Sequence, residues 1–325
     1  MKRRQFLTLV GAAAVWPASG SAQPAGVTRV GVLVLGNPDP EPFMKELREG
    51  LRELGYVEGQ NIQLELRSAK GKQGDLAVLA AELVGLKVDM LIGFQTPAAT
   101  AAKQATSEIP VIMGSSGDPV GTGLVASIAR PGGNVTGVSG ASAELGGKTL
   151  ELIREVMPSA RRVAVLANAP DPFHKPFLEH IQAAAPTLGM EIKPMLVRAA
   201  SEIDAAFVEM EKDRAEAVVV QPSLPQKHTT DLALKHRVPL FSANSNFTIG
   251  GGLMSYSADL PALYRETAVF VDKIAKGRKP ADLPEYERVV RAIEDFWLTT
   301  VTLPETYNVS GIPPAGHNGT GNSIQ

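Results

Sequence analysis

Short apolar runs alternate along this chain with longer stretches whose apolar residues recur every three or four positions. The runs read as strands and the stretches as helices. Arg29-Val30-Gly31-Val32-Leu33 opens the series, and Arg162-Val163-Ala164-Val165-Leu166 opens it again. Each run leads into Pro-Asp-Pro, at Pro38-Asp39-Pro40 and Pro170-Asp171-Pro172. An amphipathic helix follows each and closes in Leu-Gly, at Leu54-Gly55 and Leu188-Gly189. A short strand over 62–66 has its counterpart over 192–196, and helices over 74–85 and 202–213 come next. Buried strands over 90–94 and 217–220 each run into a glutamine and then a proline. After one more helix, Ile109-Pro110-Val111-Ile112 matches Val238-Pro239-Leu240-Phe241. The offset stays between 127 and 134 residues throughout, so the chain is an internal duplication.

Strand–helix alternation predicts an α/β fold of two similar doubly wound parallel-sheet lobes, with helices on both faces of each sheet. Ligands of such sheets bind outside the carboxyl ends of the strands, so two facing lobes put both sets of loops along one cleft. The segment Gly251-Gly252-Leu253-Met254-Ser255-Tyr256-Ser257 and a helix over 261–276 have no partner in the duplication and are expected to cross back to the first lobe. The expected first lobe is then 27–140 plus 252–283, and the second 141–251 plus 284–300. Glycine-containing connections near 139–143 and 250–252 are the expected hinges.

Residues 1–22 read as an export signal. Lys2, Arg3 and Arg4 precede an apolar stretch from Phe6 to Trp16, Pro17 breaks it, and Gly20-Ser21-Ala22 offers small residues for cleavage after Ala22. About ten apolar residues are too few to span a bilayer, which takes roughly 20. Arg3-Arg4 followed by Gln5-Phe6-Leu7 resembles a twin-arginine signal, with an ordinary Sec signal as the alternative. Either implies a periplasmic protein without a lipid anchor, since the chain has no cysteine. That absence also excludes disulfides, cysteine-ligated metals and thiol catalysis. With 44% hydrophobic and 20% charged residues the chain can bury a sizeable core. Its net charge of −2 becomes −5 when the three basic residues of the signal leave, which argues against a nucleic-acid partner.

No G-x-G-x-x-G, G-x-S-x-G or H-E-x-x-H occurs. Ser142-Ala143-Glu144-Leu145-Gly146-Gly147-Lys148-Thr149 approaches a phosphate-binding loop, but Ser142 stands where its first glycine belongs, so a hinge and helix start is the better reading. The spacings of His174 from His180 and of His228 from His236 do not suit helical metal ligands, so no metal or cofactor is expected. The candidate ligand contacts sit in strand-end loops: Asn37, Gln95, Thr96, Ser116 and Asp118 in the first lobe, then Asn168, Gln221 and Asn244 in the second. Tyr256 stands beside the crossover. Thr96 suits the N-cap of a helix with Pro97 at its first position, and helix N-termini favour carboxylates. Asp118 suits an ammonium group. Most have a structural alternative: a cap for Thr96 and Asp118, a loop-backbone partner for Asn37, Asn168, Gln221 and Asn244, and core for Tyr256. Asp39 and Asp171 read as turn residues. Hydrogen-bonding groups without a nucleophile–base pair favour binding over catalysis.

Gly55-Tyr56-Val57-Glu58-Gly59-Gln60-Asn61, Asp118-Pro119-Val120, Arg130-Pro131-Gly132-Gly133-Asn134-Val135-Thr136-Gly137 and Gly252-Leu253-Met254-Ser255-Tyr256 resemble the ABC transporter substrate-binding protein family, over about residues 27–284. More narrowly, they resemble its branch associated with tryptophan or tyrosine uptake. The resemblance implies a periplasmic-binding-protein type I fold that closes on a small molecule, possesses no enzymatic activity, acts as a monomer and serves an ABC permease in the inner membrane. It also places Gln95-Thr96-Pro97 and Gly117-Asp118-Pro119 at the cleft. A sensing role for a membrane kinase or chemoreceptor, and an isomerase on the same scaffold, are the alternatives. After Pro284 the sequence departs from the family pattern, and residues 311–325 are expected to be disordered.

Overall fold

Two five-stranded parallel sheets organise the described residues of the chain. The computed structural model describes residues 26–36, 40–140 and 142–283, with the side chain of Ser142 excepted. The export segment, Asn37, Asp39, the expected 284–300 part of the second lobe and the expected disordered tail lie outside the described residues. The first sheet takes β1 (Thr28–Val34), β2 (Ile62–Ser68), β3 (Met90–Phe94), β4 (Val111–Ser116) and β5 (Val135–Ser139), in the order β2-β1-β3-β4-β5. The second takes β6 (Arg162–Asn168), β7 (Glu191–Val197), β8 (Ala217–Val220), β9 (Leu240–Ser242) and β10 (Met254–Ser255), in the order β7-β6-β8-β9-β10. The two orders are the same when the strands are matched one to one, so the duplication extends to all five strands.

Alternation along each strand feeds a core on either face of its sheet. Val30, Val32 and Val34 of β1 enter one apolar cluster while Leu33 enters another, and Val218 and Val220 of β8 oppose Ala217 and Val219 in the same way. Sheets covered on both faces are what continuous apolar strands require. The helices supply the covers through residues at helical spacing. In α1 (Glu41–Glu53) these are Met44, Leu47 and Leu51. The first lobe also holds α2 (Leu76–Gly85) and α3 (Thr96–Ala105), and the second holds α5 (His174–Ala184), α6 (Ile203–Lys212), α7 (Gln226–His236) and the short α8 (Ser245–Ile249). In α6, Ile203, Phe207 and Met210 face inward.

The lobes exchange their remaining helices. Helix α4 (Ser142–Val156) follows β5 of the first sheet but packs on α5, with Leu150 and Ile153 in a second-lobe core. Helix α9 (Leu260–Ala275) follows β10 of the second sheet but packs on α1, β4 and β5. Both crossings need close helix approach. A Cβ at Gly146 would lie 2.9 Å from the Ile181 side chain, and one at Gly50 would lie 2.6 Å from the Arg265 carbonyl oxygen. The stretch that approaches a phosphate loop is thus the opening of α4.

Two expectations are corrected here. Gly252 to Ser255 do not belong to the first lobe, because Met254 and Ser255 pair in parallel with Phe241 and Ser242 of β9. The second crossing therefore runs over 256–259. Gly250-Gly251-Gly252 is not a hinge but the close of α8: their backbone N–H groups donate to Asn246, Thr248 and Phe247. A Cβ at Gly252 would lie 2.9 Å from the Phe247 carbonyl oxygen.

Candidate ligand-binding site

The residues that follow the carboxyl ends of three strands in each sheet line a crevice between the lobes. Gly36 follows β1, Gln95 follows β3 and Ser115 is the last residue but one of β4, while Asp171, Ser223 and Asn244 follow β6, β8 and β9. The crevice has two compartments, of about 70 and about 40 Å³, which share Gln95, Pro222, Ser223 and Tyr264. A water needs about 10–15 Å³ on this measure, so the larger compartment takes a group of several heavy atoms and the smaller a compact one. The larger is faced by Leu35, Pro42, Phe43, Leu224 and Tyr264, together with Gln226 and Asn246. The smaller is faced by Thr96, Ser115, Asp171 and Asn244, together with Phe173.

Three rings build the apolar wall. Phe43 of α1 lies 4.8 Å from Tyr264 of α9 and 5.3 Å from Phe94 of β3, and Phe94 meets Tyr264 edge-on at 5.3 Å, all between ring centroids. Such tilted and edge-to-face contacts suit the ring quadrupole. Burial pushes the Tyr264 hydroxyl pKa up, and a hydrogen bond with Ser115 opposes the shift. Ser115 (φ +61°) and Gln95 (φ +68°) both hold left-handed backbone without being glycine. Each such conformation costs about 1–3 kcal/mol and concentrates at ligand sites. The Gln95 N–H is held by the Gly114 carbonyl at 3.0 Å.

Asp171 is the charged group of the crevice and is 1% exposed. Its Oδ1 accepts from the Phe173 N–H at 2.9 Å, and its Oδ2 accepts from Ser223 Oγ at 2.6 Å and Gln221 Nε2 at 2.7 Å. Burial raises its pKa to about 6; the Ser223, Phe173 and Gln221 hydrogen bonds and the nearby His174 resist that rise. Across the crevice the lobes touch directly: Asn168 Nδ2 donates to Gln73 Oε1 at 2.9 Å, and the Phe173 ring lies against Gly117.

The sequence matches the ABC transporter substrate binding protein family over residues 30–292. The chain belongs to this family. A tyrosine-binding protein of Clostridioides difficile (strain R20291) is 26% identical over 254 residues, which are 76% of this chain and 72% of that protein. An ABC domain from Streptococcus pneumonia, solved in complex with L-Trp, has 28% identity and a TM-score of 0.74, covering 79% of this chain and 88% of its own. A conserved domain protein from Vibrio cholerae shares the fold at a TM-score of 0.75 and 24% identity, over 86% of this chain and 96% of that one. The two parallel-sheet lobes are those of a type I periplasmic binding protein, as expected.

In this ABC transporter substrate-binding protein, Gln95, Thr96 and Asn244 line the crevice. Thr96 does not N-cap α3. It is the helix's first residue, preceded by Gln95, and its Oγ1 accepts the Gly117 N–H at 3.0 Å, tying two cleft loops together. Asn244 caps α8 by accepting from the Asn246 N–H, which leaves its Nδ2 as the donor end. Asp118 is placed in a turn, where Oδ1 accepts from the Gly121 N–H at 2.7 Å, and it does not line either compartment. Gln221 and Asn168 stand behind the crevice wall: Asn168 N–H donates to Gln221 Oε1 at 2.9 Å. Ser116 is buried beside β5 with its hydroxyl unpartnered, and Tyr256 sits on the crossing with its N–H bonded to the Ser242 oxygen.

Phe43, Asp171, Phe173 and Tyr264 also line the crevice and do not stand out in the sequence as ligand contacts; Ser115 and Ser223 line it too, at strand ends. Among the described residues no cluster of three metal-ligating side chains occurs, and no helix is long and apolar enough to cross a membrane.

Proposed function

We propose that this substrate-binding protein is a periplasmic receptor for an aromatic amino acid, which it delivers to an inner-membrane ABC permease. The observation that carries the reading is the division of the crevice. A compartment walled by Phe43, Leu35 and Tyr264 adjoins one that presents Asp171, Ser115, Thr96 and Asn244. An aromatic amino acid has the same division, a flat apolar ring joined to a doubly charged head. The relatives described as binding tyrosine and L-Trp support the same class.

Closure works through both lobes. Ring contacts and water exclusion come mainly from the first lobe, and the carboxylate and the cap of α8 come from the second. Micromolar affinity takes about 8 kcal/mol, and hydrogen bonds to charged groups contribute about 1.5–3 kcal/mol each, so several contacts plus ring burial suffice after the cost of association. The sequence of residues 1–22 supports export.

Titration calorimetry of the purified protein with L-tyrosine and L-tryptophan tests the reading. Binding of either at micromolar affinity, with aliphatic amino acids at least tenfold weaker, is expected. Binding of a sugar or an aliphatic amino acid alone would replace the ligand class while leaving the receptor.

A further inference from the structure

Two of the three hydrogen bonds around the Asp171 carboxyl group have only one possible direction. The backbone N–H of Asn168 donates to Gln221 Oε1 at 2.9 Å, so the amide nitrogen of Gln221 is the end that faces Asp171 Oδ2. The side-chain nitrogen of Asn168 donates to Ser223 Oγ at 3.2 Å, and the Ser223 hydroxyl donates to Asp171 at 2.6 Å. The third donor is a backbone N–H, that of Phe173. Neither the Gln221 amide nitrogen nor the Phe173 N–H can accept a proton from the carboxyl group. The surroundings are thus built for the anion, although the group is almost wholly buried.

A buried anion calls for a cation. Among the described residues no lysine or arginine pairs with Asp171. The cationic influence on it is that of His174, whose Nδ1 donates to Asp171's own backbone oxygen at 2.8 Å rather than to the carboxylate. The other titratable group at this compartment, the Tyr264 hydroxyl, bonds to Ser115 and carries no positive charge. A carboxylate oxygen accepts about two hydrogen bonds, and Oδ1 takes one from the protein, so one acceptor position remains on the side chain that lines the compartment.

We propose that Asp171 receives the ammonium group of the ligand and makes the receptor select amines over acids of the same skeleton. The inference rests on the crevice being the ligand site, as proposed above, and names one determinant of what it accepts. Ligand charge then neutralises the buried carboxylate, and the network from Gln73 through Asn168, Ser223 and Gln221 holds the anion in place for it. The raised pKa of Asp171 agrees with a buried anion that has no lysine or arginine beside it among the described residues.

The experiment is calorimetry at pH 7.5 with two matched sets: L-tyrosine, tyramine and 3-(4-hydroxyphenyl)propionate, and L-tryptophan, tryptamine and indole-3-propionate. Wild type and Asp171→Asn are both titrated. The expected result is that loss of the amino group weakens binding to wild type at least tenfold. Asp171→Asn should lower the affinity of the amine-bearing members by a similar factor and leave the deaminated acids unchanged. Equal affinity of wild type for amino acids and deaminated acids overturns the role of Asp171, and this arm does not depend on the variant folding. A preference for amines that persists in a folded Asp171→Asn overturns it as well. If neither L-tyrosine nor L-tryptophan binds, the aromatic ligand class falls, and the comparison passes to the other amino acids and their deaminated forms. Failure of every amine-bearing probe then overturns the role of Asp171 too.

Discussion

The side-chain amide of Asn168, at the end of β6 in the second lobe, donates to Oε1 of Gln73 in the first lobe at 2.9 Å. The same nitrogen reaches Ser223, and Ser223 reaches Asp171, so the contact between lobes is joined to the carboxylate in the crevice. Gln73→Ala removes the contact and leaves the Asp171 network in place. A neutral hydrogen bond is worth about 0.5–1.5 kcal/mol net, so ligand affinity should fall about three- to tenfold. The melting temperature measured without ligand should fall by no more than the loss of one neutral hydrogen bond allows. Calorimetry and thermal unfolding check the two halves of this prediction.

Gly117 sets how far the lobes can close. A Cβ there would lie 2.6 Å from the Phe173 ring of the opposite lobe. Phe173 is itself held by Phe177, with ring centroids 5.6 Å apart, so the ring cannot readily withdraw. Gly117→Ala should act as a wedge, lowering affinity at least tenfold while each lobe keeps its core. Small-angle scattering with saturating ligand should show a larger radius for the variant than for the wild type. Equal radii and equal affinity would remove the contact from the closure mechanism.

The aromatic wall makes a separate prediction. Phe43→Leu keeps apolar bulk and should cost less than about 1.5 kcal/mol of stability, in line with volume-conserving exchanges. It removes the ring that lies 4.8 Å from Tyr264, and with it about 0.5–1.5 kcal/mol per ring contact made with a ligand. Affinity for L-tryptophan should fall about three- to tenfold, with affinity for an aliphatic amino acid unchanged. Competition titrations give both numbers.

Asp171 ties both stability and affinity to pH. Its folded pKa of about 6 lies above the reference value of 3.8, so the folded, ligand-free protein holds this proton more tightly than the unfolded chain. The stabilisation is complete below about pH 4 and disappears as pH rises from about 4 to about 6. Its full size is at most about 3 kcal/mol. The difference in unfolding free energy between wild type and Asp171→Asn should therefore shift against the wild type over that window. An amine ligand reverses the trend, because it binds the anion: affinity should rise with pH up to about 6 and level off above it.

Much of this architecture is legible from the pattern of apolar runs because each buried strand must satisfy both faces of its sheet. The positions of Gln95, Thr96 and Asn244 follow from the same logic, since each stands just beyond a strand whose end is fixed. Tyr264 and Phe43 were hidden for the opposite reason. They lie on amphipathic helices, where an aromatic residue at helical spacing reads as core, and only the pairing of α1 with α9 from the far end of the sequence turns them to the crevice. Ser115 and Ser116 differ by one residue and so by one face, and the positive φ of Ser115 has no sequence mark. Asp171 was legible as a turn residue, which it is through the Phe173 N–H. Its second oxygen is claimed by residues 50 and 52 positions further on. A strand of two residues, β10, is too short for any periodicity to reveal.

The exchange of α4 and α9 between lobes bears on how the protein is made. The first lobe begins at β1 yet waits for α9, which is synthesised more than a hundred residues after β5. A ribosome that has released the first sheet has therefore not released the helix that covers its α1 and β4. Among the described residues the second lobe, by contrast, has its sheet and α4 to α8 in one unbroken stretch. Synthesis order and folding order are thus set against each other: the half of the chain that emerges later is the first able to assemble its helices around a sheet.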